Sequence, residues 1–192
     1  VALLDWASLD RPAEYFDRAF RGAYKAMMEA HLPVRIVTVE QLTDSLLALT
    51  PSRGGFNVLL LANALNMDDA TVSRIERYVR AGGGLVMTYQ TITGNPRLAE
   101  LAGIRHVASC RKADGEFPLH TYYRLDTQDA AFRGLTDQLR SFQGSYEEVE
   151  CQGETRPLGQ ILGFDDTRRS DQHILRTCWP GQPVSPALTF RA

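Results

Sequence analysis

A strand–helix–strand pattern in the first half of the chain restricts its fold more than any other feature. Residues 57–62 form a nearly unbroken apolar run, which is typical of a parallel strand covered on both faces. Residues 67–81 then place apolar side chains at helical spacing, with Asp68 as the predicted N-cap, and the glycines at 82–84 end this helix. A second apolar run, 85–88, follows at once, so the two strands are parallel and their crossover is right-handed.

The same alternation extends over the first half of the chain. Helices are predicted over 13–31, 40–49 and 68–81. The predicted strands are Val1–Leu4, Val34–Val39, Val58–Ala62 and Leu85–Thr88. This order predicts an α/β fold with a doubly wound, mostly parallel sheet and helices on both faces. A flavodoxin-like strand order would place the first strand centrally.

The second half has a looser pattern. Strands are predicted at 106–110, 122–125 and 157–164, separated by polar segments, and they fit added strands with an antiparallel edge. With 192 residues, of which 44% are hydrophobic, the chain can bury a substantial core. We therefore expect a single domain over 1–192, with core βα units in 1–105 and additional strands and loops in 106–192.

Charge and hydropathy exclude some partners. A formal net charge of -2 disfavours nucleic acid, because phosphate binding needs a concentrated basic face. Membrane insertion is not expected, since no apolar run approaches about 20 residues. Three scattered cysteines fit a reducing, cytoplasmic location. The chain starts and ends within strand-like segments, Val1–Leu4 and 186–192, so we expect it to be a piece of a longer polypeptide.

The cysteines and histidines do not form a metal-binding or catalytic motif. Cys110, Cys151 and Cys178 lack close pairing, so neither a metal nor a cofactor is expected, and all three are interpreted as small buried hydrophobes. His173 and Cys178 could be drawn as a dyad, but such pairs arise by chance. A surface or hydrogen-bonded role is favoured for His120.

The acidic pairs do not resemble the two carboxylates of a glycosidase. Glu147-Glu148 and Asp165-Asp166 are adjacent residues, and adjacent residues of a strand point to opposite faces. Both pairs are interpreted as loop or edge charge.

A ligand site is expected where the parallel strands end. Doubly wound sheets bind ligands beyond the carboxyl ends of their strands. The residues that gather there, which we call the strand-end site, are Asp5, Trp6, Asn63, Tyr89 and Gln90. In this hypothesis Trp6 stacks on a sugar and the polar side chains bind its hydroxyls. In the alternative, which is favoured, Trp6 caps the core and the polar groups satisfy the backbone of turns.

Several segments carry a family resemblance. Residues 20–33, 57–63 and 75–86, with 123–125 followed by 132–135, resemble the class I glutamine amidotransferase-like domain of family 42 type β-galactosidases, the β-galactosidase trimerisation domain. They are more loosely similar to the trehalose-utilisation (ThuA-like) proteins. The resemblance covers about residues 1–135, and its motifs are mostly structural.

The resemblance implies a negative test of activity. In active class I amidotransferases a cysteine lies on the tight turn after the corresponding strand, where a distant His-Glu pair activates it. The turn here is residues 87–91 (MTYQT), which contains no cysteine, and no histidine lies near Thr88 or Thr91 in sequence. No catalytic residue is therefore assigned in this chain.

The expected role is that of a non-catalytic domain of a larger carbohydrate-active protein, whose catalytic glutamates would belong to a separate barrel domain. Its partners would be copies of itself or other domains of the parent protein, with carbohydrate as the candidate ligand. The alternative is a ThuA-like sugar-binding protein or small-molecule enzyme that acts through the strand-end site.

Overall fold

The structure is a computed structural model of the 192-residue chain. It describes residues 2–5, 13–48, 55–65, 67–110, 120–136, 138–143, 145–164 and 180–191. The contacts divide the chain into two compact units, Val1–Leu101 and Ala102–Ala192, which are described separately. The expectation of a single domain stays a prediction.

The first unit contains a four-stranded parallel sheet. Its strands are β1 (Ala2–Asp5), β2 (Arg35–Thr38), β3 (Val58–Leu61) and β4 (Gly84–Met87). The spatial order is β2-β1-β3-β4, with every pair parallel. The prediction that the first strand is internal is thus confirmed.

Helices pack on opposite faces of this sheet. Helix α1 (Ala13–Glu29) buries Met27 in a cluster with Leu60 and Ala62 of the β3 segment. Leu59 and Leu61, which point to the other face, pack in the larger core with helix α3 (Asp69–Arg80). The chain leaves α1 through His31, whose backbone is left-handed (φ 54°), and Leu32 N–H bonds Met27 C=O as in a Schellman motif.

Helix α3 begins and ends where the sequence indicates. Asp68 is its N-cap, since its carboxylate accepts a hydrogen bond from Thr71 N–H at 2.7 Å. Gly82 ends the helix in a left-handed conformation (φ 94°), and Gly83 lies against the Tyr78 ring, where a Cβ atom would come within 2.3 Å of Tyr78 Cζ. Glycine is therefore favoured at position 82 by the left-handed backbone and at position 83 by the space that the Tyr78 ring occupies.

The remaining helices of the first half are short. They are α2 (Asp44–Leu47), α4 (Thr91–Gly94) and α5 (Pro96–Ala102). The prediction of a helix over 40–49 was too long at its start, because residues 38–42 form a turn and Thr43 caps α2 at Leu46 N–H.

The second unit is built of antiparallel strands. They are β5 (Ile104–Cys110), β6 (His120–Leu125), β7 (Leu139–Gln143), β8 (Tyr146–Cys151), β9 (Arg156–Phe164) and β10 (Pro180–Phe190). One sheet has the order β10-β9-β6-β7, and β5 pairs with β8 in a second sheet. The three strands predicted here are present, whereas β7, β8 and the full length of β10 were not predicted.

The mixed α/β class is confirmed, but the expectation of a mostly parallel sheet is not. Parallel pairing in the described residues is confined to β1–β4, and both sheets of the second unit are antiparallel. Parallel neighbours need a crossover, usually a helix. Between β5 and β10, the only helical segment in the described residues is a short 3-10 turn, Ala130–Phe132.

Candidate functional site

The carboxyl ends of β3 and β4 are adjacent because these strands pair directly. Asn63 lies two residues after the end of β3, and Tyr89 lies two residues after the end of β4. Both have left-handed backbones, with φ of 52° and 49°. Asn63, Tyr89 and Gln90 of the strand-end site therefore share this edge of the sheet.

The structure describes the other two residues of the strand-end site less completely. Asp5 is the last residue of β1, and β1 pairs with β3 in the same parallel sheet. Its backbone thus ends at the same edge. Trp6 lies outside the described residues. The ligand-binding role of all five residues stays a prediction.

Hydrogen bonds tie the turn after β3 to the turn after β4. Asn63 N–H donates to Thr88 Oγ1 at 2.9 Å, and Gln90 N–H donates to Asn63 Oδ1 at 3.2 Å. Asn63 and Gln90 are each only 5% exposed. The Asn63 amide oxygen is therefore used to satisfy a buried backbone donor.

Thr91 adds a third link between the two turns. Its hydroxyl accepts from Ala64 N–H at 2.8 Å and donates to Leu61 C=O at 3.3 Å, and the residue is fully buried. A hydroxyl that is buried and engaged in both directions is unsuited to nucleophilic attack. The expectation that no residue of this turn is catalytic stays a prediction.

Tyr89 is the bulky residue at the centre of the turn. It joins β4 to the short helix α4, and its side chain is half-buried. Within the described part of the chain, the structure shows no hydrogen bond from its hydroxyl group. The turn thus keeps a sharp strand-to-helix geometry with a tyrosine at its left-handed position.

An ion pair anchors the chain just after this turn. Arg97 binds Glu76 of α3 through Nε–Oε1 and Nη2–Oε2 hydrogen bonds of 3.0 and 2.7 Å. The hydrogen bonds from Arg97 lower the pKa of Glu76. Asn95 Nδ2 also donates to Asp69 Oδ1 at 3.1 Å, so the start of α5 is attached to α3. No sequence motif connects these residues, which are more than twenty positions apart.

The second unit contains a polar cluster that the sequence did not predict. Glu147, on β8, has a side chain that is only 3% exposed; its Oε2 atom lies 2.8 Å from His106 Nε2 and accepts a hydrogen bond from Ser109. Glu147 was expected to be loop or edge charge; the loop expectation was wrong, because Glu147 lies on β8 and its nearly buried carboxylate binds His106 and Ser109 of β5. The other acidic pair, Asp165-Asp166, lies outside the described residues.

The described cysteines have no features of a reactive site. Cys110 and Cys151 are half-buried, and burial raises the pKa of both thiols. Cys110 also donates to Glu148 Oε1 at 3.2 Å. His120 is the first residue of β6, while Cys178 and His173 lie outside the described residues.

Two features are absent from the described ranges. No group of three or more His, Cys, Asp or Glu side chains there is arranged to hold a metal ion. Nor does any helix in those ranges have the length and apolar character needed to cross a membrane.

Comparisons with known proteins define the class of fold. No protein-family model matches the chain, and no curated protein matches it. Among solved structures, a ThuA-like protein from Bacteroides uniformis superimposes with a TM-score of 0.61 and 14% identity over 83% of this chain. The chain therefore has a fold similar to that of this ThuA-like protein.

Two other solved structures are similar at this level. α-L-Fucosidase isoenzyme 2 from Paenibacillus thiaminolyticus has a TM-score of 0.55 and 17% identity over 98% of this chain. A cytoplasmic protein from Salmonella typhimurium has a TM-score of 0.55 and 12% identity over 85% of this chain and 80% of its own. The chain spans 66% of the ThuA-like protein and 26% of the fucosidase.

Glutamine amidotransferase and β-galactosidase chains also match, with TM-scores of 0.48 and 0.40, which are too low to support an argument. Identities of 17% or less show the fold alone.

Proposed function

We propose that this chain is a non-catalytic amidotransferase-like domain of a larger carbohydrate-active protein, in which it serves for self-association or shapes a neighbouring active site. The observation that carries this proposal is the turn after β4. The turn keeps a left-handed residue at Tyr89, but it has no cysteine, and the Thr91 hydroxyl is committed to the backbone.

The comparison with the fucosidase supports the carbohydrate context. Almost the whole of this chain aligns with about a quarter of that enzyme, so the same fold occurs there within a much longer chain. A domain embedded in this way can contribute to an enzyme without performing its chemistry. The finer assignment, to the β-galactosidase trimerisation group, rests on the sequence segments at 20–33, 57–63 and 75–86.

Two measurements test this proposal. An assay of ammonia release from glutamine should show no activity for the full chain, and activity above the blank would contradict a non-catalytic domain. Sedimentation velocity of the full-length parent protein and of this chain should show concentration-dependent self-association. If both are monomeric at all concentrations, the association role is lost.

A second candidate function is a ThuA-like sugar-binding protein or small-molecule enzyme that acts at the strand-end site. The similarity to the ThuA-like protein favours it, because that structure aligns with 83% of this chain. Saturable binding of galactose, lactose or trehalose that is abolished by Trp6→Ala would favour this function. Absence of binding would favour the scaffold role.

A further inference from the structure

Tyr89 has a backbone conformation that is costly for its residue type. A left-handed backbone is common for asparagine, so Asn63 adopts it at little cost, but it is a true outlier for a bulky aromatic residue. Such outliers persist only where surrounding interactions determine the conformation, and they cluster at binding and catalytic sites. The position of Tyr89 therefore requires an explanation that Asn63 does not.

Hydrogen bonds on both sides of Tyr89 hold it in this conformation. The preceding residue, Thr88, accepts from Asn63 N–H through its side chain and donates its own N–H to Leu61 C=O at 3.1 Å. The following residue, Gln90, donates its N–H to Asn63 Oδ1 at 3.2 Å. The turn after β3 thus determines the backbone of the turn after β4.

The side chain of Tyr89 does not take part in these bonds. Its hydroxyl has no hydrogen-bond partner among the described residues, and its ring is half-buried at the strand-end edge. The fold would be satisfied at lower cost by glycine or asparagine at this position. The left-handed backbone at this edge therefore carries an aromatic residue where a smaller residue would be less strained.

The surrounding residues restrict the class of ligand. The two turns, residues 61–65 (LANAL) and 87–91 (MTYQT), contain no charged side chain. An anion would find no cation on either turn, and Asp5, whose backbone ends at the same edge, is an acidic residue that further disfavours an anion. A neutral, hydroxylated molecule suits an aromatic ring that carries a phenol group, because it can stack on the ring and exchange hydrogen bonds with the hydroxyl.

We propose that Tyr89 is the ligand-contacting residue of the strand-end site, where a neutral monosaccharide stacks on its ring, and that Asn63 and Thr88 are positioning residues that hold its backbone. This assignment rests on the second candidate function, sugar binding at the strand-end site. The direct ligand contact expected of Asn63 stays a prediction; its amide oxygen is engaged with Gln90 N–H.

The test compares two variants of the full chain. Tyr89→Asn keeps the left-handed conformation and removes both the ring and the strain, whereas Tyr89→Phe keeps the ring and the strain. Thermal unfolding measures the strain, and isothermal titration with galactose and with fucose measures binding. We expect Tyr89→Asn to raise the melting temperature by about 2–4 °C and to weaken sugar binding at least about tenfold. Tyr89→Phe should retain the original melting temperature and most of the binding.

If Tyr89 had only a structural role, Tyr89→Asn would not both raise the melting temperature and weaken sugar binding. A lower melting temperature for Tyr89→Asn would show that the side chain is required by the fold, and it would overturn the proposal. Unchanged binding by Tyr89→Asn would also overturn it, as would the absence of saturable binding of either sugar to the unaltered chain. If neither sugar binds, sedimentation can still show self-association. The scaffold function is therefore tested separately from sugar binding.

Discussion

Arg97 binds the carboxylate of Glu76 in a two-pronged contact, with N–O distances of 3.0 and 2.7 Å. This contact joins α5 to α3 immediately after the turn that contains Tyr89. The Glu76 side chain is 12% exposed, while Arg97 also donates to Ser73 Oγ at 3.0 Å. Planar, charge-assisted pairs of this kind are geometrically specific, so lysine cannot replace Arg97 without loss.

The Glu76 contact predicts a pH-dependent contribution to stability. The folded protein lowers the pKa of Glu76 below its ordinary value of 4.5, chiefly through the Arg97 hydrogen bonds. Its stabilising effect is therefore present above about pH 4.5 and is lost as the pH falls through the folded-state pKa. Urea unfolding between pH 7 and pH 3 should show a smaller decline for Glu76→Gln than for the unaltered chain.

Other carboxylates require that comparison to be made as a difference. The pKa values of Asp68 and Asp129 are lowered as well, so the unaltered chain loses stability in acid for several reasons. Subtracting the Glu76→Gln curve isolates the contribution of Glu76. Parallel curves across the whole range would contradict the prediction.

Substitutions of the two glycines after α3 should destabilise the fold for different reasons. Gly82→Ala places a side chain at φ 94° in open space and should cost about 1–2 kcal/mol of unfolding free energy through backbone strain alone. Gly83→Ala should cost more, because its Cβ would lie 2.3 Å from Tyr78 Cζ and displace a ring whose hydroxyl donates to Phe56 C=O at 3.2 Å.

A double variant separates these mechanisms. Adding Tyr78→Leu should recover part of the loss caused by Gly83→Ala, and it should recover none of the loss caused by Gly82→Ala. Chemical denaturation measures all of these free energies. Equal, additive effects in both backgrounds would exclude a ring clash at Gly83.

The Thr91 hydroxyl forms one of the hydrogen-bonded links between the two turns, and its removal should lower the free energy of unfolding. Thr91→Val keeps the shape of the side chain but leaves the buried Ala64 N–H without its acceptor, so it should lower the unfolding free energy by about 1–3 kcal/mol. Leu61 C=O keeps its bond from Thr88 N–H, so this loss concerns a single group. Thr91→Ser retains the hydroxyl and is the matched control, measured by urea unfolding.

Glu147 predicts a stability effect in the second unit. Glu147→Ala removes a nearly buried acceptor from His106 and Ser109 and leaves a cavity, and we expect a loss of about 2–3 kcal/mol. Glu147→Gln keeps the volume and one acceptor oxygen and should be milder. Equal losses for the two variants in denaturant titrations would show that the carboxylate shape is unimportant.

Local patterns were sufficient to predict much of the first unit. The apolar run at 58–61, the cap at Asp68 and the glycines at 82–84 act through nearest neighbours, and the parallel sheet follows from short joints between strands and helices. The second unit was predicted less well. Its strands β7 and β8 are short and polar, and their pairing depends on segments distant in sequence.

The candidate site, too, was predicted in part from local patterns. The sequence placed Asn63, Tyr89 and Gln90 at one edge, because parallel strands end at the same edge of their sheet. It did not show that Asn63 Oδ1 accepts from Gln90 N–H, because this bond joins residues 27 positions apart.

The sequence by itself determined the strand–helix–strand pattern, the caps of α3 and the absence of a cysteine at 87–91, because periodicity, capping and residue identity are local properties. Only the tertiary structure decided that the second half pairs antiparallel, that Glu147 is buried beside His106, and that Tyr89 is left-handed within a turn hydrogen-bonded to the turn after β3. These features arise from contacts between distant segments, and such contacts exist only once the chain has folded.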